Sequence, residues 1–506
     1  MRSIRTAGIM LGLAFGTLLS TGCESYFFLP GTQTDSSSAL GTAQVIFGDP
    51  FTEQLIQGRT FFNGKAVTTL TYRAGDATRT PFGIDFNGDG KIDPVAGYAL
   101  DPVPDAGVIQ ILLSQGSTGE VRYISLTLDG NNNWPDLLDV AVGDIDGDGA
   151  FDIVAATSRG VVYMHNPGPG QTTVMRDWGA ETPELEFLSG STELLSREEV
   201  EAIIEQVLPP GVTIDQYDVT VEQGYTNVEI ADFDNDGRND VVASRRLKIV
   251  MTPRPDSNVQ PLLIITGGLQ MFINPGGAVD GEGWALAEVG RHERFTELDR
   301  EGAGYILAYD LDQDGDLDII SAAREDDNVQ ISWFENPGST AIFDLSQWTA
   351  WRVGSLRDAF SIDIADVTGD GRPDIIGVGG AQMQIVLYEQ PAEGAQREYD
   401  WDSYPIVTFE SFEPRDVKVI DIDGDGQAEL VLGGTNGAVR YFEAPADPRE
   451  TWEGVRILDF EPAGEVGLIG YGDLDGDGDF DLVAVLDDET EDTGDRITWI
   501  RNDLAP

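Results

Sequence analysis

Asp144-Ile145-Asp146-Gly147-Asp148-Gly149-Ala150-Phe151-Asp152 is the stretch from which the rest of the chain can be read. Its aspartates at positions 1, 3, 5 and 9 bring side-chain oxygens toward one centre, and position 7, Ala150, offers a backbone carbonyl. Gly149 at position 6 supplies the positive φ that wraps the chain around that centre. The phrase occurs seven times, beginning at Asp85, Asp144, Asp232, Asp310, Asp366, Asp421 and Asp473. Packing three or four carboxylates around one point makes chemical sense when a hard cation sits there.

The candidate ligands follow by position. The first loop supplies Asp85, Asn87, Asp89, the carbonyl of Lys91, and Asp93; the second supplies Asp144, Asp146, Asp148, Ala150 and Asp152. The third has Asp232, Asp234, Asp236, Arg238 and Asp240, and the fourth Asp310, Asp312, Asp314, Asp316 and Asp318. The fifth has Asp366, Thr368, Asp370, Arg372 and Asp374. The sixth has Asp421, Asp423, Asp425, Gln427 and Glu429, and the seventh Asp473, Asp475, Asp477, Asp479 and Asp481. All-oxygen, carboxylate-rich ligation in a flexible loop points to Ca²⁺ rather than Zn²⁺, copper or Mg²⁺, with up to seven ions per chain. An EF-hand loop begins the same way but needs a bidentate Glu at position 12. Here that position holds Ala96, Ala155, Ala243, Ser321, Gly377, Leu432 and Ala484, so the EF-hand is excluded. Solvated acidic turns without metal are the alternative. Thr368 leaves the fifth loop three carboxylates, which predicts the weakest site.

The spacing of the loops sets the architecture. Successive first aspartates are 59, 88, 78, 56, 55 and 52 residues apart, so the base unit is about 55 residues and two intervals carry insertions. A short alternating strand leads into each loop, as in Val228–Ala231 or Val417–Ile420. A β-branched strand follows it, as in Asp152–Ala155 or Asp374–Gly377. A third strand carries an aromatic and often ends in Asn-Pro-Gly, as at Asn166, Asn274 and Asn336; a fourth follows. Four short antiparallel strands per repeat define a propeller blade, and seven repeats predict an all-β, seven-bladed β-propeller. The seventh unit stops after its third strand, Arg496–Ile500, while Ala66–Tyr72 precedes the first loop without a unit of its own. Pairing these two is expected to close the ring and remove a free edge. Residues 179–222 form an insertion with a helix. Ser196 and Glu199 make a capping box, Val200, Ile203, Ile204 and Val207 make one apolar stripe, and Pro209-Pro210-Gly211 ends it. The stripe is expected to pack on the rim of the second or third blade. A longer hairpin is expected between Arg254 and Gly267.

On the seven loops and the strand after each, the chain resembles the FG-GAP/VCBS family, over about residues 60–506. That resemblance implies a seven-bladed propeller with calcium on the hairpin between the first two strands of a blade. The Phe-Gly and Gly-Ala-Pro words of the family are mostly absent, with Phe82-Gly83 the one echo, so the likeness is to the divergent bacterial type. Integrin-like ligand binding is not implied.

A net charge of −58 repels nucleic acid and anionic membrane, which excludes a nucleic-acid-binding role. Apolar content of 41% is that of a globular chain, so the acidity does not mark disorder. Residues 1–22 read as a signal peptide: Arg2 and Arg5, then an apolar run from Ile9 to Leu19 too short to span a membrane comfortably. Leu19-Ser20-Thr21-Gly22-Cys23 resembles a bacterial lipobox, which implies acylation of Cys23, the single cysteine. Ser20 departs from the usual aliphatic, and an ordinary signal peptide cleaved nearby is the alternative. Glu24 favours an outer-membrane or surface location. Residues 23–58 are expected to be anchor and tether, with Gly31–Gln44 its flexible part, and 59–506 the propeller. With one cysteine no disulfide framework exists, and metal is the remaining staple.

These features predict an exported, calcium-stabilised module that binds a protein or glycan and meets the membrane through its lipid alone. A carbohydrate-active enzyme is the alternative. The chain has two histidines, His165 and His292, and no nucleophile elbow, phosphate loop or zinc motif. His165 is expected to be structural. Trp134, Trp284, Trp348 and Trp401 are candidates for sugar stacking, with core packing the expectation for each.

Overall fold

A computed structural model describes residues 51–55, 65–70, 84–87, 92–99, 107–114, 121–126, 137–166, 168, 186–192, 194–277, 282–290, 305–322, 330–357, 359–380, 382–392, 396–397, 400–459, 464–474, 478–487 and 496–502. They form seven four-stranded sheets, each antiparallel throughout. Sheet I is β2 (Lys65–Leu70), β3 (Val95–Ala99), β4 (Gly107–Ser114) and β5 (Val121–Leu126). Sheet II is β6 (Leu137–Gly143), β7 (Asp152–Thr157), β8 (Gly160–Met164) and β9 (Glu186–Phe187). Sheet III has the longest strands: β10 (Tyr217–Ala231), β11 (Asp240–Pro253), β12 (Leu262–Ile273) and β13 (Ala285–Gly290). Sheet IV is β14 (Tyr305–Tyr309), β15 (Asp318–Ala322), β16 (Gln330–Glu335) and β17 (Thr349–Ser355). Sheet V is β18 (Ala359–Ala365), β19 (Asp374–Gly379), β20 (Gln384–Glu389) and β21 (Asp402–Thr408). Sheet VI is β22 (Pro414–Ile420), β23 (Glu429–Gly434), β24 (Ala438–Phe442) and β25 (Gly454–Asp459). Sheet VII is β26 (Glu465–Gly472), β27 (Asp481–Asp487), β28 (Arg496–Asn502) and, from the other end of the chain, β1 (Phe51–Leu55).

The strand that completes sheet VII is therefore not the one expected. Phe51 pairs with Asn502 and Leu55 with Thr498. The stretch expected to do this is β2, the first strand of sheet I, where Leu70 pairs with Val95. The reason is connectivity: each acidic loop joins the first and second strands of its own sheet, so the strand before the first loop belongs to sheet I. The first strand among the described residues thus lies at Phe51–Leu55, inside the stretch expected as anchor and tether.

The core lies between sheets. Alternating residues of the second and third strands face the neighbouring sheet, and the middle strands are buried on both faces, as Asp152–Thr157, Asp374–Gly379 and Glu429–Gly434 show along their whole length. One apolar cluster joins Val140 and Ile153 to Phe86 and Ile109; another joins Val154 and Tyr163 to Tyr225, Val228 and Val241. The series continues around to Val431 and Tyr441 against Ile469 and Leu482. The first strand of sheet VII contacts β2 in turn. Close approach there uses Gly472, where a Cβ would stand 3.0 Å from Ile92 Cδ1.

Carboxylates on the first strands stitch neighbours together. Asp139 Oδ2 accepts from Val228 N at 3.1 Å, Asp363 Oδ2 from Val419 N at 2.8 Å, and Asp416 Oδ2 from Ile469 N at 2.8 Å. Lys418 Nζ, 2.9 Å from Asp416 Oδ1, supplies charge balance at the last of these. Burial acts to lower its pKa, but Asp416, Tyr305 and Asp363 hold it above the ordinary lysine range.

The insertion folds as α1 (Arg197–Val207), with Ser196 and Glu199 forming the expected capping box. Val200 and Ile204 are buried against Tyr217, Leu247, Ile249, Met251 and Ile264. The helix thus covers the extended end of sheet III. The expected long hairpin is present, since Met251 pairs with Leu262. Its partner β10 begins at Tyr217, so the last residues of the expected insertion are strand. Trp284, Trp348 and Trp401 are all buried, which removes them as sugar-stacking surfaces; Trp134 lies outside the described residues.

Candidate metal centres

The loops share one backbone cage. In loop 2 Gly149 N donates to Asp144 Oδ2 at 3.0 Å, Asp148 N to Asp146 Oδ1 at 3.1 Å, and Ala150 N to Asp148 Oδ1 at 2.8 Å. Loop 3 repeats these at Asp232, Asp234 and Asp236, loop 4 at Asp310, Asp312 and Asp314, and loop 6 at Asp421, Asp423 and Asp425. One oxygen of each carboxylate holds the turn, which orients the other. Position 6 has the expected left-handed φ: 88° at Gly149, 87° at Gly237, 98° at Gly315, 87° at Gly371, 88° at Gly426 and 100° at Gly478.

Position 9 is the anchor. Asp152, Asp240, Asp318, Asp374 and Asp481 are at most 1% exposed. Each accepts from the position 2 amide on one oxygen: Ile145, Phe233, Leu311, Val367 and Leu474 N, at 3.0 to 3.1 Å. The other oxygen accepts from the residue that ends the third strand: Asn166, Asn274, Asn336, Gln390 and Asn502 N, at 2.7 to 2.9 Å. Phe86 N does the same for Asp93 at 3.0 Å, and Ile422 N for Glu429 at 3.0 Å.

The amides at the third-strand ends do more, and nothing in the sequence reading assigned them this work. Asn274 Nδ2 donates to Ile145 O at 2.7 Å, Asn336 Nδ2 to Phe233 O at 2.9 Å, Gln390 Nε2 to Leu311 O at 2.6 Å, and Asn502 Nδ2 to Ile422 O at 2.8 Å. Each reaches the position 2 carbonyl of the preceding loop, whose side chain is already buried between the two sheets. The Asn-Pro-Gly ending was the available signal. A second tie joins loop tips: Asn235, in the left-handed region at position 4, donates to Asp316, and Gln313 to Gly371 O at 3.1 Å.

Ligand oxygens converge in four loops. Asp144, Asp146 and Asp152; Asp232, Asp234 and Asp236; Asp310, Asp312 and Asp318; and Asp421, Asp423 and Asp425 each form a trio within 4.8 Å. Among the described residues loop 5 contributes no such trio. There Asp374 Oδ2 is shared by Val367 N and Thr368 N, and Arg372 pairs with Asp370. Asp85, Asn87 and Asp93 of loop 1 and Asp473, Asp479 and Asp481 of loop 7 are described; Asp89, Lys91, Asp475 and Asp477 lie outside the described residues, as does Cys23.

Burial and crowding make these carboxyls reluctant to ionise. Desolvation, with help from nearby carboxylates and against the backbone donors, lifts Asp152 to about 6, Asp240 to about 7, Asp318 to about 8 and Glu429 to about 9. Asp421 Oδ1 is buried with no hydrogen-bond partner. The loop 6 cluster, all oxygen and with a buried oxygen unsatisfied, fits a hard divalent cation.

Repeated acidic hairpins on antiparallel sheets define an all-β protein of the β-propeller class. A profile described as FG-GAP-like repeat matches residues 310–377 and 421–484. Each match starts on the first aspartate of a loop and runs three residues past the ninth position of the next, so the two together take in four loops. The chain thus carries FG-GAP-like repeats over these residues. Comparison with curated proteins finds no match. Among solved structures, an Agrocybe aegerita lectin described as recognising non-reducing terminal N-acetylglucosamine is 16% identical, with a TM-score of 0.42, covering 87% of this chain and 95% of that one. A Dos1 propeller is 9% identical with a TM-score of 0.39, covering 89% and 95%.

Proposed function

We propose that the chain is a seven-bladed, calcium-stapled propeller, anchored through acylated Cys23 at the outer membrane or cell surface, that binds a protein or glycan. The convergence of carboxylates in loops 3, 4 and 6, with the buried oxygen of Asp421 left unsatisfied, carries the calcium part. In loop 6 Asp421, Asp423, Asp425 and Glu429 would hold the ion together with the carbonyl of Gln427; loops 3 and 4 would use the corresponding residues. What Ca²⁺ would supply when bound is positive charge beyond that of the single arginines reaching Asp236, Asp312 and Asp370. The chain's own part is structural: position 9 fastens each loop to its sheet, and in loops 2, 3, 4 and 6 a third-strand amide fastens the loop to the next sheet. A loop emptied of its ion therefore loosens a contact between sheets. For extracellular modules of this kind Kd is on the order of 10⁻⁴–10⁻³ M.

Three measurements test this. A chelator should lower the melting temperature and restored Ca²⁺ should raise it; no shift would sink the calcium staple. Glycan-array binding beside a polysaccharide-degradation screen tests the binding role: retention without turnover supports it, and depolymerisation overturns it. Mass spectrometry of the exported protein reads the anchor directly, and an unmodified Cys23 thiol would remove it.

A further inference from the structure

We propose that loop 2 takes a borderline transition-metal ion of the Zn²⁺ class, with the imidazole of His165 as a ligand beside Asp146 and Asp148. The proposal rests on the reading of these loops as metal sites and names a different ion for one of them.

His165 follows β8 and stands directly before Asn166, whose amide fastens Asp152. Its Nδ1 lies 3.1 Å from Asp146 Oδ2 and 3.5 Å from Asp152 Oδ1. One ligand atom each from Asp146, Asp148 and His165 falls within 4.8 Å of the others, a second trio in the same loop. Donors bound at about 2.0–2.2 Å to a tetrahedral Zn²⁺ stand roughly 3.3–3.6 Å apart, so the nitrogen and oxygen need to part by only a few tenths of an ångström to share one ion. The Tyr163 hydroxyl lies 3.4 Å from the same nitrogen, a long contact that leaves room for a ligand bond. The imidazole is half exposed, which gives an ion from solvent a path in.

The other sheets show what is special here. The matching position holds Leu113, Ile273, Glu335, Glu389, Glu443 and Arg501. Glu335 and Glu389 are engaged by Arg397 and Arg449, so those places carry ion pairs; loop 2 carries a nitrogen donor. Ca²⁺ takes oxygen ligands and gains little from imidazole, whereas a nitrogen beside carboxylate oxygens suits Zn²⁺, Co²⁺, Ni²⁺ and Cu²⁺.

The test is titration of the full chain with Zn²⁺ by calorimetry, with Ca²⁺ present in excess throughout. One Zn²⁺ per chain should bind despite the Ca²⁺. His165→Ala, and His165→Gln of similar size, should weaken that binding by about tenfold or more, the least expected for loss of a direct ligand. His292→Ala should leave it unchanged. Absence of Zn²⁺ binding in excess Ca²⁺, or equal binding by the wild type and both His165 variants, overturns the proposal. Melting curves of the same samples with and without Ca²⁺ read the calcium staple separately. Its failure leaves a His165-dependent Zn²⁺ site standing, and its success does not rescue a missing one.

Discussion

Replacing Asn274 by alanine should loosen the joint between sheets II and III. The residue is 1% exposed. Its Nδ2 serves Ile145 O at 2.7 Å and Asn239 O at 2.9 Å, and its Oδ1 accepts from Gly276 N at 2.8 Å. Alanine removes all three bonds. A buried polar group left without a partner costs about 1–3 kcal/mol, and with water reaching the Gly276 amide the two carbonyls dominate, giving about 2–4 kcal/mol in all. Heat is a blunt reporter of such a loss. For a cooperative unit of roughly 450 residues the unfolding entropy is about 1 kcal/mol/K, so the melting temperature should fall by only about 2–4 K. Urea unfolding followed by tryptophan fluorescence, at fixed calcium, resolves it better. Asn274→Asp is the sharper variant, because it keeps the acceptor for Gly276 but turns a carboxylate oxygen toward two carbonyls. It should be at least as damaging as Asn274→Ala. A loss below about 0.5 kcal/mol for Asn274→Ala, or wild-type stability for Asn274→Asp, would refute the assignment of this amide as the latch between sheets.

Three further outcomes are expected. Gly224→Ala should cost about 2 kcal/mol or more in urea unfolding, because φ is 153° and a Cβ would meet Ser158 Cα at 2.6 Å and Thr157 O at 2.8 Å; an unchanged midpoint would contradict that close approach. Thr368→Asp should tighten calcium binding at loop 5 in a titration that resolves the weakest site, and an unchanged affinity would count against the three-carboxylate explanation. In chelator, stability should fall as pH rises from about 4 toward 8, since Asp152, Asp240, Asp318 and Glu429 have folded-state pKa values raised to about 6, 7, 8 and 9 and the folded chain therefore holds protons that the unfolded chain releases. Melting curves at pH 5 and pH 8 check the sign, and greater stability at pH 8 without calcium would reverse it.

The loops, their glycines and the strand after each were legible because a nine-residue phrase with fixed chemistry repeats, and each copy constrains the same turn. The capping box at Ser196 was legible for a similar reason, being a local pattern with a local cause. The closing strand was misread because β1 and β2 are both short, with no acidic loop between them to say which sheet each belongs to. Only pairing with Asn502 and Val95 distinguishes them. The amides at Asn274 and Asn336 were visible as turn residues, but their partners Ile145 and Phe233 lie 129 and 103 residues away, beyond any local pattern. His165 was read as structural from the variety at its position; the structure puts its ring nitrogen among the carboxylates of its own loop.

Sheet VII is built from both ends of the described chain, and this sets an order of events. Phe51–Leu55 is made long before its partner Arg496–Asn502. Until the final strand arrives, sheet VII lacks the strand that joins β1 to β27, and β1 has nothing to pair with. Every intermediate on the way exposes backbone that can pair with a second unfinished copy, and closure must wait for the longest loop in the molecule. A chain that stopped before Arg496 would keep six sheets and lack the strand that joins Phe51–Leu55 to Asp481–Asp487. Its seventh sheet would keep an open edge at β27 and leave β1 unpaired, prone to find in a neighbour the partner it no longer carries.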